Sequence, residues 1–463
     1  MLLGNIAWAQ EMQLLSQRHL SGTARYVGMA GAMTAVGGDP TAAMDNPAGL
    51  GIYRRSEVSI TIDLAADATT YASQDAANSL RCAMPNLSAI WAVGNANKQK
   101  GLIYSNFMFT INRLANLNRE VHIKGASMDM LPVMCYKTNG LLESELQDKP
   151  WDNYDIGWLS ILGYEGYLIN PSEGKEWVPA LNMTEGEMYV SETGNADQYS
   201  ISWAANISNQ WYVGLGLNIP TWNYTKMTSL YETDRINSAE FKSLYRLSGV
   251  GVTASAGLIY RPVKFLRLGL SAHTPTVMSL TEQTEGDVYT KVDGHSYEVL
   301  TPASGEMELT TRTPWRTSAS VAAQIGKYAM LAFQYDYAQA VSDKETQEVL
   351  INNQHAFRVG AEVQLCRSWF LNMGYSYETP LMDEDPVVEL AYNAIRTDMD
   401  YRYIQQSQSA TLSLGYRSDV LVAQLAYQYR WQTWHQYATE AQIQPFVLDA
   451  NTHHFVFTLG WRI

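Results

Sequence analysis

The feature of this sequence that most limits its fold is an alternation of apolar and polar side chains with a period of two, repeated from residue 57 onward. In EVSITIDLAAD, Val58, Ile60 and Ile62 alternate with polar residues, and HHFVFTLGWRI at the end of the chain has the same pattern. Such alternation predicts β-strands with one apolar face. About fourteen strands are predicted, near residues 57–72, 86–94, 101–113, 186–207, 211–231, 241–260, 265–282, 305–324, 328–342, 354–366, 368–380, 401–416, 419–437 and 453–463.

The predicted connections between these strands tend to alternate in length. Short turns are expected at 95–98, 208–210, 261–264, 326–327, 366–368 and 417–419, and longer polar loops lie between them, the longest at about 114–185. An even strand number with short turns at one end is typical of an outer-membrane β-barrel, whereas a soluble sandwich has no reason to sort its loops in this way. The sequence therefore predicts an all-β fold, a transmembrane antiparallel up-and-down β-barrel of about 14 strands over residues 55–463, whose apolar faces contact lipid.

Composition agrees with a membrane barrel and argues against several other classes of protein. Tyr and Trp, whose rings suit a membrane–water boundary, number 29 and 13 against 10 Phe, which favours a barrel over a Tyr-rich secreted sandwich. The formal charge is −14 and no Lys/Arg cluster occurs, so a nucleic-acid partner is not expected.

Cysteine and catalytic motifs offer no sign of other chemistry. Cys82, Cys135 and Cys366 are too few and too irregularly spaced for a zinc site, and no cofactor or metal is predicted. Cys82 and Cys135 both fall in predicted outer loops, so a disulfide between them stays open. No Gly-x-Ser-x-Gly element or Ser/His/acid spacing is present, and an enzyme is not expected.

The beginning of the chain resembles the end of a signal peptide. In residues 1–9, MLLGNIAWA, an apolar run leads to Ala7-Trp8-Ala9, the small-x-small pattern that precedes cleavage. The positively charged region that usually comes first is missing, which suggests that the natural start lies further upstream. An ordinary hydrophobic N-terminus is the alternative.

Residues 10–54 do not alternate and are predicted to form a compact plug. The small, apolar run 26–38 suits a short helix, Asp39 can cap a new turn that has Pro40 at its first position, and Asn46-Pro47 ends that turn. Such a segment has no extensive core of its own. We therefore expect it to be stable mainly inside the barrel.

Projected inward, the alternation places mixed polar residues, with charges of both signs among them, in the lumen: Asp63, Arg267, His273, Arg316, Asp336, Arg358, Glu362, Gln424, Gln428, Arg430 and Arg462. One interpretation is an internal salt-bridge network, which a water-facing barrel interior commonly contains. The other is a specific ligand role. The candidate lumen polar residues are Arg267, His273, Arg358 and Glu362.

The third predicted strand, GLIYSNFMFTI, is unusual because neither of its faces is clearly polar. Contact with hydrophobic cargo or with the plug is one explanation, and simple burial under the N-terminal residues is the other. The candidate ligand-path residues are Tyr104, Phe107, Met108 and Phe109.

The stretch SGTARYVGMAGAMTAVGGDPTAAMDNPAGLG resembles the hatch of the FadL/TodX family of outer-membrane transporters of hydrophobic compounds, which share a progression of Arg, Gly-x-Gly-Ala, Asp and Asn-Pro-Ala. The matching positions are Arg25, Gly28, Gly31, Ala32, Asp39, Asn46, Pro47 and Ala48, with one residue more between the two glycines than the family usually has. Residues 261–276 also resemble a mid-barrel hairpin of this family. The resemblance implies a hatch with gating residues Gly28, Gly31, Asp39, Asn46, Pro47, Ala48 and Gly49.

The resemblance further implies passive uptake of long-chain fatty acids or aromatic compounds across the bacterial outer membrane. In this family the hatch changes conformation and an inward kink of the third strand opens a lateral path into lipid. The expected partners are a hydrophobic small molecule and outer-membrane lipid, and the expected state is a monomer. A helix predicted within residues 157–168 would give the long loop an apolar surface for capture. The alternative is a structural or adhesive barrel whose loops bind a protein or a glycan.

Overall fold

A computed structural model describes residues 8–463 apart from 73, 95–97, 99, 154, 173, 303–305, 343–348 and 383–394. Its helices are α1 Trp8–Ser16, α2 Ala24–Gly28, α3 Pro40–Asp45, a 3-10 helix Pro47–Ile52, α4 Met130–Thr138, α5 Glu143–Leu146 and α6 Trp158–Glu165. Its strands are β1 Glu57–Tyr71, β2 Gln74–Gly94, β3 Leu102–Asn116, β4 Arg119–Ala126, β5 Ile169–Pro171, β6 Trp177–Pro179, β7 Glu185–Ile207, β8 Trp211–Thr233, β9 Ser238–Val263, β10 Leu266–His273, β11 Val277–Val292, β12 His295–Leu300, β13 Met307–Arg312, β14 Arg316–Ile325, β15 Ala329–Ala338, β16 Val341–Ser342, β17 Val349–Ile351, β18 Gln354–Gln364, β19 Trp369–Glu378, β20 Tyr401–Arg417, β21 Leu421–Tyr437 and β22 Phe446–Arg462. Within this described part, every helix is too short or too polar to cross a membrane.

Eighteen of the strands form one sheet that closes on itself. Three wall positions each contain two successive strands, β3 with β4, β10 with β11, and β13 with β14, while β12 pairs with the outer part of β11. The sheet is therefore a barrel of 14 antiparallel positions, as the alternation predicts. The first and last strands close it through a continuous ladder from Glu57–Arg462 to Tyr71–Leu448.

The connections are sorted between the two ends of the barrel. Short turns lie at one end, which we call the turn end, and longer loops lie at the other, which we call the loop end. Five of the six predicted turns lie at the turn end, and residues 95–97 of the sixth lie outside the described residues. The prediction of a loop before residue 86 is wrong, because β2 starts at Gln74 and pairs with β1 from there. This part of β2, QDAANSLRCAMP, has no regular apolar alternation, and it is held in the sheet by its pairing with β1.

The long loop is shorter than predicted. Residues 114–116 belong to β3, and β4 continues the wall beside β7, so the loop occupies 127–184. The break at Leu117-Asn118 interrupts the alternation between the two strands. Cys82 lies in β2, not in an outer loop, and its thiol and the thiol of Cys135 are both free.

The two faces of the wall have opposite character. On β1 the outward side chains Val58, Ile60, Ile62 and Leu64 are 39–47% exposed. On the inward face of the same strand Ser59 and Thr61 are buried. Exposed apolar side chains recur on the outer face of strand after strand, which is an unfavourable surface in water and a suitable one in lipid.

The N-terminal segment, residues 8–54, lies inside the barrel. Its hydrogen bonds reach strands around the whole circumference: Ala24 N to Thr458 Oγ1 on β22, Thr34 N to Gln334 Oε1 on β15, Asn46 Nδ2 to Leu258 O on β9, Asn106 Nδ2 on β3 to Leu50 O, and Thr411 Oγ1 on β20 to Gly28 O. Most residues from Ser21 to Tyr53 are buried. The barrel wall therefore provides the core that this segment lacks.

Helices α4 and α6 pack over the loop end as an outer cap. The predicted helix within 157–168 is present as α6, but its apolar side chains do not form a capture surface. Trp158, Ile161 and Leu162 are at most 5% exposed and belong to one cluster with Leu230 and Phe241 of the extended strands. They are buried because strands β7, β8 and β9 rise far enough above the turn end to pack against the helices.

Candidate functional site

All four predicted lumen residues contact the N-terminal segment. Arg267 Nη1 donates to Val36 O at 2.7 Å, and His273 Nε2 lies 2.9 Å from Asp45 O. Arg358 Nη1 lies 3.3 Å from Tyr26 Oη. These side chains therefore link the barrel wall to the N-terminal segment, and a ligand role for them stays a prediction.

Glu362 holds the most extensive of these contacts. Arg25 donates to it through Nε at 2.7 Å and Nη2 at 3.2 Å, and Arg417 Nη2 donates at 2.8 Å. Arg25 Nη1 also donates to the carbonyls of Gly37 and Gly38 at 3.2 and 2.9 Å. One guanidinium thereby links the barrel wall to two parts of the segment, and charge-assisted hydrogen bonds of this kind are among the stronger ones.

Two predicted hatch residues organise the segment internally. Asp39 caps α3 as predicted, with Oδ1 accepting from Thr41 N at 2.9 Å and Oδ2 accepting from Thr23 Oγ1 at 2.6 Å. Burial raises the pKa of Asp39 in spite of the opposing effect of Arg25. Asn46 Oδ1 accepts from Ala48 N at 3.1 Å, and its Nδ2 donates to Thr34 O at 2.8 Å.

The remaining predicted hatch residues fit tightly against neighbours. Gly28 leaves no room for a Cβ, which would meet Ser413 Oγ at 2.0 Å, and Gly31 has a positive φ of 76°. Pro47 begins the 3-10 helix, and Gly49 O accepts from Gly38 N at 3.1 Å. Ala48 is fully buried against Tyr212 and Ile259.

Barrel glycines that the sequence analysis missed form a seat for the segment. They are Gly214, Gly257, Gly269, Gly360 and Gly374, and a Cβ on each would lie within 2.7 Å of an atom of the segment. Gly374, for example, approaches the backbone of Met29 and Ala30. A glycine on the lumen face of a predicted strand is the signal that could have found them, because glycine permits close backbone approach.

The third strand does not bring its four candidate residues together. Tyr104 and Met108 face the lumen, whereas Phe107 and Phe109 lie on the outer face, 47% and 40% exposed. Met108 packs with Leu50 and Tyr53 of the N-terminal segment. At Met108 the structure thus agrees with burial under the segment. The side chains of Tyr104 and Met108 point to the opposite side of the wall from those of Phe107 and Phe109, so the four cannot line one ligand path.

The barrel wall has a gap beside this strand. Pairs between β2 and β3 run from Gly94–Tyr104 to Asn86–Asn112, and no further pair between β2 and β3 or β4 occurs in the described residues. On its other side β2 stays paired with β1 as far as Gln74. We call the unpaired stretch, residues 74–85 opposite β4, the wall gap.

Arg81 crosses the wall gap. Its guanidinium forms an ion pair with Asp67 of β1, and Nη1 donates to Asn118 O at 3.2 Å, between β3 and β4. A side chain, not a backbone ladder, therefore joins the two edges at this point.

Two cavities lie beside residues 14–19 of the segment. Cavity A borders the wall gap and is lined by residues that include Leu14, Asp67, Arg81, Leu117, Glu192, Ile404, Arg430 and Trp434. Cavity B is lined by residues that include Arg18, Tyr26, Asp45, His273, Arg316 and Arg358. Cavity A thus combines apolar and charged walls next to the wall gap.

Searches by sequence find no matching family model and no matching curated protein. Searches by structure find several similar barrels. A FadL homologue from Pseudomonas aeruginosa is 11% identical and has a TM-score of 0.57, covering 96% of this chain and 99% of its own. The toluene transporters TodX of P. putida and TbuX of Ralstonia pickettii have TM-scores of 0.53 and 0.52 at 10% and 12% identity, with the same coverage.

The similarity extends over nearly the full length of both partners. At 10–12% identity it concerns architecture. The chain has the fold of the FadL- and TodX-type barrels.

Proposed function

We propose that this protein is a bacterial outer-membrane channel for the passive uptake of hydrophobic small molecules, in which the N-terminal segment acts as a hatch and the cargo leaves sideways into the membrane. The exposed apolar outer wall supports a place in a bilayer. Solved structures of similar fold are described as toluene transporters and a FadL homologue, which supports the class of cargo.

The observation that carries the proposal is the wall gap beside cavity A. A backbone edge without a ladder is expensive in lipid unless something covers it. Here Arg81 supplies part of that cover, and a side chain can move where a ladder cannot. A molecule in cavity A therefore has a short lateral route between β2 and β4.

The axial route is much less favourable. Passage through the turn end would require the segment to leave its seat and to break the contacts of Arg25 with Glu362. The side chains of these two residues are each about 10% exposed. Separating such a buried pair costs roughly 3–5 kcal/mol. Gating then needs only local movement of residues 14–19, which border the two cavities, while the hatch residues Gly28 to Gly49 stay in place and close the turn end.

Cross-linking across the wall gap tests the lateral exit. Ser79→Cys and Asn118→Cys are introduced together in a background with Cys82, Cys135 and Cys366 replaced by Ser, and a short, cleavable bismaleimide joins them. Uptake of a hydrophobic fluorophore by cells is expected to fall on cross-linking and to recover on cleavage of the linker.

The matched control is the pair Thr228→Cys and Ser243→Cys, which face each other on the paired strands β8 and β9. Unchanged uptake after complete cross-linking of the wall gap would refute the lateral exit. Deletion of residues 10–54 tests the hatch separately: selective uptake should be lost while the barrel still inserts. A structural or adhesive barrel would show no dependence of uptake on either change.

A further inference from the structure

We propose that the turn end carries a cationic ring on the outside of the barrel, and that this ring binds anionic phospholipids of the leaflet around it. The ring is defined by eight basic residues at the entry to β1 and at four of the turns: Arg54, Arg55, Lys98, Lys100, Arg261, Lys264, Lys327 and Arg367. The inference goes beyond the uptake of cargo, because it assigns a partner to the outer surface. From the proposed function it takes only the place of the barrel in a bilayer.

The turn end is basic although the chain as a whole has a formal charge of −14. Its connecting stretches are residues 53–56, 95–101, 208–210, 261–265, 326–328, 365–368 and 418–420. The only acidic residue in their sequence is Asp419, whose Oδ1 lies 3.4 Å from Arg55 Nη1. Six of the basic residues are exposed and form no ion pair with any residue that the structure describes: Arg54, Lys98, Lys100, Lys264, Lys327 and Arg367. Their charge is therefore available to an external anion.

The basic residues are distributed around the barrel. They lie before β1, between β2 and β3, between β9 and β10, between β14 and β15, and between β18 and β19. These places belong to both halves of the closed wall. A compact soluble partner would contact one side of the rim, whereas lipid surrounds all of it. The distribution thus favours a lipid leaflet over an acidic protein.

The ring also lies at the depth of lipid head groups. Trp369 and Tyr328 are 43% and 66% exposed at the foot of the apolar wall, and such rings favour the membrane–water boundary. Arg367 is two residues from Trp369, and Lys327 directly precedes Tyr328. One or two residues span about 3–7 Å of strand, which is close to the thickness of the head-group layer, about 5–8 Å on each side of the hydrocarbon.

An anionic phospholipid satisfies this surface better than a zwitterionic one. The phosphate oxygens of both accept charge-assisted hydrogen bonds from Lys and Arg. In a zwitterionic lipid the head group's own cation competes for the phosphate, whereas in an anionic lipid the negative charge is left for the protein. Long Lys and Arg side chains can keep their stems on the apolar wall while their charged ends reach the head groups.

The test measures the lipid selectivity of the full-length protein reconstituted in phosphatidylcholine bilayers. Electron spin resonance of spin-labelled phosphatidylglycerol and spin-labelled phosphatidylcholine gives the fraction of each lipid held at the protein surface. One basic residue beside an anionic lipid favours it by about fivefold. Because the ring meets only one leaflet, averaging over both should give the wild type a preference for phosphatidylglycerol of about twofold. The preference should disappear in about 1 M NaCl, where charges are screened over about 3 Å.

Two half-ring variants test the circumferential distribution. One combines Arg54→Gln, Lys98→Gln and Lys100→Gln, and the other combines Lys264→Gln, Lys327→Gln and Arg367→Gln. Each should remove about half of the preference, and the six substitutions together should remove nearly all of it, because the contributions of separate basic residues add.

The matched control combines Lys124→Gln, Arg235→Gln and Lys242→Gln, three basic residues at the loop end whose side chains are 67%, 82% and 48% exposed. It removes the same charge and should leave the preference unchanged. Heat-modifiable migration confirms that each variant is folded, and the salt measurement on the wild type needs no variant.

A wild type without a preference for phosphatidylglycerol overturns the inference, and so does a preference that salt or the six substitutions leave intact. An effect confined to one half-ring variant also overturns it, since a one-sided surface would suit a soluble acidic partner. None of these results depends on uptake. Conversely, failure of the lateral exit in the cross-linking experiment would leave the lipid preference unchanged, so the two proposals fail separately.

Discussion

Replacement of Glu362 by Gln should loosen the N-terminal segment without opening the barrel. Gln is nearly isosteric with Glu but carries no charge, so Arg25 and Arg417 would lose their shared carboxylate. The side chains of Arg25 and Glu362 are each 10% exposed, which places the pair in the buried class. Removal of one partner from such a pair costs roughly 3–5 kcal/mol.

This free energy predicts the size of the effect. At about 1.4 kcal/mol for each factor of ten, the population with an unseated segment should rise by roughly two to three and a half orders of magnitude. Hydrogen–deuterium exchange of the protein in micelles reports it, because amides in residues 22–53 exchange through that open state. Their exchange should accelerate, whereas amides of the barrel strands should not change.

Glu57→Gln provides the comparison. Glu57 accepts from Arg462 Nε at 2.8 Å at the same end of the barrel, but this pair joins two wall strands and not the segment. Faster exchange of residues 22–53 in Glu57→Gln as well, or no change in Glu362→Gln, would refute the assignment of Glu362 as the main anchor.

Three further predictions address the seat, the cap and the loop end. Gly374→Ala places a Cβ against Met29 and Ala30 and should destabilise the seated segment by about 1–3 kcal/mol, measured by hydrogen–deuterium exchange of residues 22–53. Gly125→Ala is the control and should not change this exchange, because a Cβ at that position meets nothing within 4 Å. Leu162→Ala should cost about 2–5 kcal/mol of cap stability, measured as faster proteolysis within residues 127–184 of a barrel that stays intact. Burial by itself would raise the pKa of Asp398, but Arg396 and Lys226 outweigh it and hold the pKa well below its usual range. The stabilisation from Asp398 is therefore present above the ordinary Asp pKa of about 3.9 and is lost as pH falls through the lowered value. Pepsin cleavage near residue 400 should increase toward pH 2. In Asp398→Asn the increased cleavage should be present already at pH 4.

Most of the wall could be predicted because its determinants are local. Strand β8 needs only the alternation of Trp211 to Ile219 to be recognised, and Asp39 with Pro40 marks the start of α3 within two residues. The outer half of β2 could not be recognised, since residues 74–85 show no regular alternation of apolar and polar side chains. Its partner β1 holds it in the sheet through pairing.

The candidate site was predicted in its parts but not in its arrangement. Arg267, His273, Arg358 and Glu362 were placed in the lumen by alternation, yet which group each would meet depends on contacts far apart in the chain. Arg25 and Glu362 are separated by 337 positions. The same limit applies to Phe107 and Phe109, whose apolar character is equally compatible with lipid and with cargo.

The sequence alone determined that apolar and polar side chains alternate along the chain and that the strands are numerous and even in number. It also determined that residues 10–54 belong to a different kind of structure. These features could be predicted because periodicity, capping and proline effects act over a few residues. Only the tertiary structure decided which face of β3 looks inward, which glycines receive the segment, and where the ladder between β2 and β3 stops. These features depend on closing the sheet around the segment. That closure joins residues hundreds of positions apart.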